Sequence, residues 1–322
     1  MKKIIIPLIL VLILSITSCN QKTEVQPVQK EASNTGIELI VLGTAQDAGA
    51  PQIACKKECC TSRYDGSSET FEVVSLGVVN HDLKNSYLFE ATPDIAKQSY
   101  YLNNVIGSFE QQVPNAVFLT HAHIGHYTGL MYYGKEALSA NAVDVYAMPR
   151  FQSFLSNNGP WDQLVSNKSI VLQNMENGKP VELEQDLQVT PLLVPHRDEY
   201  SETVGYTIKG TQKTALFIPD IDKWSKWNTS IDSLVKQVDY AFLDATFYDA
   251  VEINNRDISQ IPHPFVIESF EQFKNLSKTD KEKIHFIHFN HTNPLLDPNS
   301  DAYKRTTELG FKVAQKGDRF KL

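Results

Sequence analysis

Cysteine is scarce in this chain of 322 residues, which contains four cysteines. Apart from Cys19, they lie close together at Cys55, Cys59 and Cys60. Three thiols packed this tightly are a poor disulfide framework, because neighbouring cysteines rarely reach the geometry of an unstrained bridge. The cysteine content therefore does not indicate a fold held together by disulfides.

The chain also lacks a dense cluster of basic residues. Thirty lysine and arginine residues stand against thirty-eight aspartate and glutamate residues, which gives a formal net charge of −8. Nucleic-acid-binding domains concentrate positive charge on one face or groove. We therefore expect no nucleic-acid partner.

Long apolar runs are also scarce, and the clearest one spans residues 4–17. It is too short to span a membrane comfortably, and it follows the positively charged start Met1-Lys2-Lys3. These features predict a signal peptide over residues 1–18. The polar composition of residues 19–36 predicts a flexible tether, because it offers too little apolar surface to bury. Residues 37–322 then form one large domain.

The end of this apolar run, Ile16-Thr17-Ser18-Cys19, resembles the lipobox of bacterial lipoproteins. The resemblance implies that Cys19 becomes a lipidated N-terminus carrying acyl chains such as palmitate. It further implies a lipid-anchored membrane protein of the bacterial cell envelope, on the outer membrane and facing the periplasm. The alternative is an ordinary secretory signal in which the cysteine occurs by chance.

The remaining apolar segments predict an α/β protein. Helices are predicted near residues 95–106, 128–138, 149–155 and 264–276. Strand groups flanked by helices favour two sheets covered by helices, a four-layer αβ/βα sandwich. Segments rich in β-branched and aromatic residues predict strands at residues 37–42, 71–79, 86–90, 115–120, 143–148, 170–172, 187–194, 203–208, 215–218, 240–244 and 284–289.

Three histidines, His121, His123 and His126, follow the predicted strand that ends at Thr120. On an irregular loop such residues can direct their rings to one point, and neutral imidazole binds Zn²⁺ and iron. We interpret this segment as a metal-binding loop. The alternative is a chance cluster of polar loop histidines.

Further metal-binding side chains follow other predicted strands, namely His196, Asp220 and His288. Each signal is weak by itself, since an aspartate after a strand is often a turn former. Together they indicate one site, because loops at strand ends place side chains while the sheet holds them rigidly.

This ordered series resembles the motif series of the metallo-β-lactamase superfamily over nearly all of residues 37–322. Within it the chain is similar to the branch that contains tRNase Z, the cyclic phosphodiesterase PhnP and the pyrroloquinoline-quinone biosynthesis protein PqqB. The PqqB-like segments are Gly43-Thr-Ala-Gln-Asp-Ala-Gly-Ala-Pro-Gln52, Ala91-Thr-Pro-Asp-Ile95, Leu243-Asp-Ala-Thr-Phe247 and Asn290-His-Thr-Asn-Pro294.

The resemblance implies two metals. His121, His123 and His196 would hold the first, whereas His126 and His288 would hold the second, with Asp220 bridging the two. The family also has an aspartate where this chain has Gly125. We therefore expect the second metal to bind weakly, differently or not at all, and we expect Gly125→Asp to increase its occupancy.

The resemblance also assigns catalytic roles to three residues. Asp220 would orient the nucleophile or accept its proton, and Asp244 and His263 would orient groups of the site or donate a proton. For His263, in Ile-Pro-His-Pro-Phe, the alternative is an ordinary loop residue.

The cysteine cluster indicates a structural zinc, which needs four ligands. His288 and His291 reproduce a PhnP-like spacing, which implies His291 as the fourth ligand beside Cys55, Cys59 and Cys60. The cysteine spacing departs from the family, with Lys57 where a cysteine is expected. A disulfide plus one free thiol is the alternative.

Three functions remain open. The first is a metal-dependent hydrolase for an ester or lactone, a phosphodiester or a related bond in a small molecule, with one or two Zn²⁺ ions in the active site and one structural Zn²⁺. The second is a PqqB-like oxidoreductase with iron in the active site. The third is a non-catalytic protein that binds a metal or ligand.

Overall fold

The computed structural model describes residues 35–107, 113–254 and 256–322, and Thr35–Leu322 form one compact unit. The predicted signal peptide, Cys19 and most of the predicted tether lie outside these residues. Within the described ranges, no helix has the length and apolar character needed to cross a membrane.

The strands form two sheets of seven in the described part of the chain. The first sheet, in the order β14-β1-β2-β3-β4-β5-β6, contains β1 Ile37–Gly43, β2 Ser75–Asn80, β3 Asn85–Phe89, β4 Ala116–Phe118, β5 Val143–Ala147, β6 Ile170–Asn174 and β14 Arg319–Lys321. The second sheet, in the order β13-β12-β11-β10-β9-β8-β7, contains β7 Val181–Glu184, β8 Leu187–Leu193, β9 Val204–Lys209, β10 Thr214–Ile218, β11 Tyr240–Asp244, β12 Ile284–Ile287 and β13 Lys312–Val313.

The α-helices are short apart from α2. They are α1 Glu58–Tyr64, α2 Ile95–Ile106, α3 Ile124–Tyr127, α4 Pro149–Asn157, α5 Trp161–Ser166, α6 Ile231–Gln237, α7 Val266–Gln272, α8 Lys278–Lys281 and α9 Asp301–Glu308. Turns of 3-10 helix span Thr128–Tyr133, Trp224–Lys226, Ile258–Gln260 and Pro294–Leu296.

Several predicted boundaries were wrong, and the backbone explains two of them. The helix predicted over 128–138 is a 3-10 turn that stops before Gly134, where the backbone becomes extended. The strand predicted from residue 71 begins at Ser75, because the Glu72 carbonyl accepts hydrogen bonds from the backbone of Thr44 and Ala45 instead of pairing in the sheet.

The four layers of the fold follow from the alternation of side chains between the two faces of each strand. In β1, Leu39 and Val41 face the core between the two sheets, whereas Ile40 and Leu42 face the helices outside the first sheet. Helices α2, α4 and α5 cover that outer face, and α6, α7 and α9 cover the outer face of the second sheet. This arrangement confirms the predicted αβ/βα sandwich.

The directions of the strands bring the loops that carry the histidines to one edge of each sheet. Strands β3 and β4 are parallel, as are β10, β11 and β12. Two antiparallel steps give β1 the direction of β3 and give β8 the direction of β10. The carboxyl ends of all these strands therefore lie at one edge of each sheet. A parallel bridge between Ala45 and Phe289 joins the two edges.

Candidate metal centre

The first cluster of the centre contains His121, His123, His196 and Asp220, whose ligand atoms lie within 4.8 Å of one another. His121 Nε2 is 2.8 Å from His123 Nδ1, and Asp220 Oδ2 is 3.2 Å from His196 Nε2. Metal–ligand bonds of about 2 Å at tetrahedral angles put ligand atoms about 3.3 Å apart. The first cluster has this spacing, and it contains the four residues that the sequence placed there.

The second cluster contains His126 and His288 together with Asp47, a residue that the sequence analysis did not identify. Asp47 lies in the loop after β1, and its Oδ1 is 3.1 Å from His126 Nε2. The second cluster therefore has a carboxylate besides Asp220 although Gly125 supplies none, and the expected weak or altered binding of the second metal stays a prediction. The only sequence signal for Asp47 was its position in a PqqB-like loop after a strand.

Asp220 lies between the two clusters. Its Oδ2 is 3.4 Å from His121 Nε2 and 4.0 Å from both His126 Nε2 and His288 Nε2. One oxygen atom thus faces histidines of both clusters, as a bridging ligand must. Opposing effects act on this carboxyl: burial raises its pKa, but the charges of His196 and His263 outweigh burial and hold the pKa well below its ordinary value.

Partners outside the clusters fix the orientation of the imidazole rings. Thr120 Oγ1 is 2.9 Å from His121 Nδ1, and Thr246 Oγ1 is 2.8 Å from His288 Nδ1. The fully buried Glu90 lies 3.2 Å from His126 Nδ1. In all three rings Nε2 therefore points inward. Such outer contacts orient histidine ligands and set their tautomer.

Glu90 and His288 both have left-handed backbone conformations, with φ of 79° and 68°. Side chains other than glycine rarely adopt this region, and such strain is concentrated at functional sites. Both residues stand immediately after parallel strands, β3 and β12. The conformation turns their side chains toward the centre at the cost of local strain.

Asp244 and His263 lie behind Asp220. His263 Nδ1 is 3.1 Å from Asp220 Oδ1 and 3.0 Å from Asp244 Oδ2. Burial lowers the pKa of His263, but the charges of Asp244 and Asp220 outweigh burial and raise it to about 10. His263 is therefore a buried member of the centre rather than an ordinary loop residue.

The buried polar atoms of the centre fit a metal. Asp47 Oδ1, His126 Nε2, His196 Nε2 and His288 Nε2 are buried and have no hydrogen-bond partner within the described residues. An unpaired buried polar atom is costly, and native structures rarely leave several together. These atoms converge on two points, so metal ions would satisfy them.

The cysteine cluster is a separate site. Cys55, Cys59, Cys60 and His291 offer ligand atoms within 4.8 Å of one another, and no disulfide joins the three thiols in the described chain. Burial and the neighbouring Cys60 raise the pKa of Cys59 to about 11, so a nearby cation is needed to hold all three as thiolates. The structure thus brings together the four residues that the sequence grouped.

Comparisons with known proteins identify the family of this chain. A family model described as the beta-lactamase superfamily domain matches residues 85–289. Coenzyme PQQ synthesis protein B of Gluconobacter oxydans is 26% identical over 313 residues, which cover 89% of this chain and 99% of that protein. The protein of the same name from Methylorubrum extorquens strain PA1 is 23% identical, covering 87% and 98%.

Solved structures share the fold. Zn²⁺-bound PqqB from Methylobacterium extorquens is similar with a TM-score of 0.73 and 22% identity, covering 88% of this chain and 100% of that one. A diphosphatase of the PhnP family is similar with a TM-score of 0.62 and 20% identity, covering 89% and 98%. Human tRNase Z, short form, gives a TM-score of 0.53 at 13% identity, covering 88% and 98%.

Proposed function

We propose that this chain, which belongs to the metallo-β-lactamase superfamily, is a metal-dependent hydrolase. One observation carries the proposal: Asp220 Oδ2 lies 3.2–4.0 Å from the inward nitrogen of five histidines. Such convergence of buried imidazoles on one carboxylate oxygen is the arrangement that a catalytic metal centre needs.

The proposed metal is Zn²⁺. His121, His123 and His196 would hold one ion, and His126 and His288 would hold a second, with Asp220 shared. A similar fold, PqqB of Methylobacterium extorquens, is described as Zn²⁺-bound. When bound, Zn²⁺ lowers the pKa of water to about 7 and polarises a carbonyl or phosphoryl oxygen.

The remaining roles belong to the protein's own groups. Asp220 would direct Oδ2 into the centre, where the histidines of both clusters face it, and Oδ1 toward His263. Asp244 accepts a hydrogen bond from the Ile221 backbone at 3.1 Å and contacts His263, so it holds that ring against Asp220. We therefore assign His263 and Asp244 to positioning Asp220, in place of the proton-donor role that was also open.

The substrate class is a small molecule with an ester, lactone, phosphodiester or related bond. Two large side chains beside the histidines are exposed in the described chain: Ile124 at 63% follows His123, and Tyr200 at 63% follows Glu199. Glu199 itself lies 3.5 Å from His123 Nε2. An apolar portion of a substrate would contact these two exposed side chains.

Similarity to PQQ synthesis protein B over 89% of the chain supports one alternative, an oxidoreductase with iron in the same centre. Histidine and carboxylate ligands suit iron as well as zinc. Bound iron with oxygen consumption would favour this alternative over hydrolysis.

We also propose that Cys55, Cys59, Cys60 and His291 hold a structural Zn²⁺. The Gln52 backbone N–H donates to Cys60 Sγ at 3.3 Å, a contact that orients a ligating thiolate. The proposed attachment of lipid at Cys19, and with it the bacterial envelope location, remains a separate proposal that mass analysis of the mature N-terminus would test.

The test of the hydrolase proposal combines metal analysis with activity. The purified protein is assayed for zinc and iron and is screened with chromogenic esters, phosphodiesters and β-lactams. We expect bound zinc and turnover of at least one ester class, lost in His196→Ala. Metal-loaded, folded protein that turns over none of the classes would contradict the proposal. A ligand bound under those conditions would favour a binding protein.

A further inference from the structure

The space beside Gly125 is already filled. A Cβ added to Gly125 would lie 2.4 Å from the Cα and 2.4 Å from the Oδ1 of Asp47. Since real Cβ atoms do not approach other atoms so closely, residue 125 must be glycine while Asp47 is in this position. The side chain missing at 125 and the side chain present at 47 therefore compete for the same volume.

From this juxtaposition we propose that Asp47 is the carboxylate ligand of the second metal, taking over the role of the aspartate that Gly125 replaces. The inference rests on the proposed function, because it assigns a ligand within the same centre. His126, His288 and Asp47 then supply three ligands, and the shared Asp220 supplies a fourth. The centre has two complete ligand sets for a pair of divalent cations.

The Asp47 side chain is directed at the second cluster. Its Oδ1 is 3.1 Å from His126 Nε2, yet both atoms are buried without hydrogen-bond partners among the residues described. A carboxylate oxygen and an imidazole nitrogen 3.1 Å apart have the spacing of neighbouring ligands on one cation. The other nitrogen of His126, Nδ1, lies 3.2 Å from the Glu90 carboxylate, so Nε2 is the nitrogen that faces Asp47 and the second cluster.

The loop around Asp47 is built rigidly into the site. The Gln46 backbone N–H donates to the Phe289 carbonyl at 2.8 Å, and the Phe289 N–H donates to the Thr44 carbonyl at 2.8 Å. Gly49, with a φ of +71°, closes the turn by donating to the Gln46 carbonyl at 2.8 Å. Because Phe289 directly follows His288, these bonds fix Asp47 beside the second cluster.

The experiment uses Asp47→Asn in the full chain, because asparagine keeps the size of the side chain and removes its charge. Zinc equivalents are counted by elemental analysis, and the affinity of the weakest site is measured by competition with a chromogenic chelator. Partners that only orient a ligand change affinity about 10–100-fold. For the loss of a direct ligand we expect the second active-site metal to bind at least about 100-fold more weakly.

Glu199→Gln is the matched control. It also removes one negative charge beside a histidine of the centre, but Glu199 lies on the exposed side of His123 and belongs to neither metal cluster. The affinity of the second active-site metal should be unchanged, because Glu199 contacts no residue of the second cluster. Circular dichroism and thermal unfolding of both variants show whether they are folded.

The inference would be overturned if folded Asp47→Asn retained the second metal with unchanged affinity. It would also be overturned if the parent protein took up only one active-site metal from excess Zn²⁺, Mn²⁺ or Fe²⁺. Neither result would contradict the proposed function, hydrolysis through the first cluster. Conversely, loss of one metal in Asp47→Asn from a protein without hydrolytic activity would support Asp47 as a ligand while the proposed function fails.

Discussion

Each cluster of the metal centre places a carboxylate beside its histidines, but the residues come from different parts of the chain. In the first, His121 and His123 come from one short motif, and His196 and Asp220 stand at two further strand ends. In the second, the motif supplies only His126, and the carboxylate comes from the loop after β1. A residue missing from a motif is therefore not a residue missing from a site, because a loop distant in sequence occupies the same space.

The largest expected difference separates His121→Ala from His126→Ala. His121 belongs to the first cluster, whose proposed metal would provide several kcal/mol of charge stabilisation in the transition state. We expect hydrolysis to fall at least about 1000-fold in His121→Ala, with a smaller loss in His126→Ala, measured as kcat/KM on whichever chromogenic substrate is turned over. Equal losses would show that the two clusters act as one unit.

A metal bound at the cysteine cluster would stabilise the second cluster more than the first. Cys55 follows the Asp47 loop along the chain, and His291 follows His288, so a metal at the cysteines ties together the two segments that carry second-cluster ligands. We expect Cys55→Ser to release one metal, to lower the melting temperature by several degrees and to weaken the second active-site metal. Unchanged zinc content would instead favour a disulfide with one free thiol.

Gly125→Asp tests directly whether a side chain at residue 125 and the Asp47 side chain compete for the same volume. The sequence alone led to the expectation of increased second-metal occupancy, but the new Cβ would meet the Asp47 Cα at 2.4 Å. We now expect lower occupancy and a destabilisation of about 1–3 kcal/mol from overpacking, measured by metal analysis and denaturant unfolding. Gly125→Ala shares the clash without the carboxylate. A gain of metal in Gly125→Asp alone would show that the loop yields and that the new carboxylate binds.

The smallest expected effects come from replacing the two threonines that contact the outer nitrogens of His288 and His121. Thr246→Val removes the hydroxyl at His288 Nδ1, and Thr120→Val is its matched counterpart at His121 Nδ1. Each should weaken its own metal about 10–100-fold, in Thr246→Val the second and in Thr120→Val the first. Chelator competition on the two variants measures both affinities, and the same effect on both metals would show that the clusters are not independently supported.

Much of the centre was predictable because its histidines follow apolar strands. The order His121, His123, His126, His196, Asp220 and His288 sufficed to propose a metal site and a superfamily. Asp47, Glu90 and the two threonines were not predictable in this way, since an acidic or hydroxyl residue after a strand is usually a turn former or cap. Their roles depend on contacts between segments far apart in the chain.

The sequence by itself predicted eleven of the fourteen strands in the described chain, the α/β class and the residue types that could hold a metal, because these depend on local periodicity and side-chain chemistry. The tertiary structure decided which carboxylate faces His126. The pairing of Thr44 and Gln46 with Phe289 joins the two sheets and carries Asp47 into the volume that Gly125 leaves open. No local pattern encodes that contact, because it exists only after both sheets have packed.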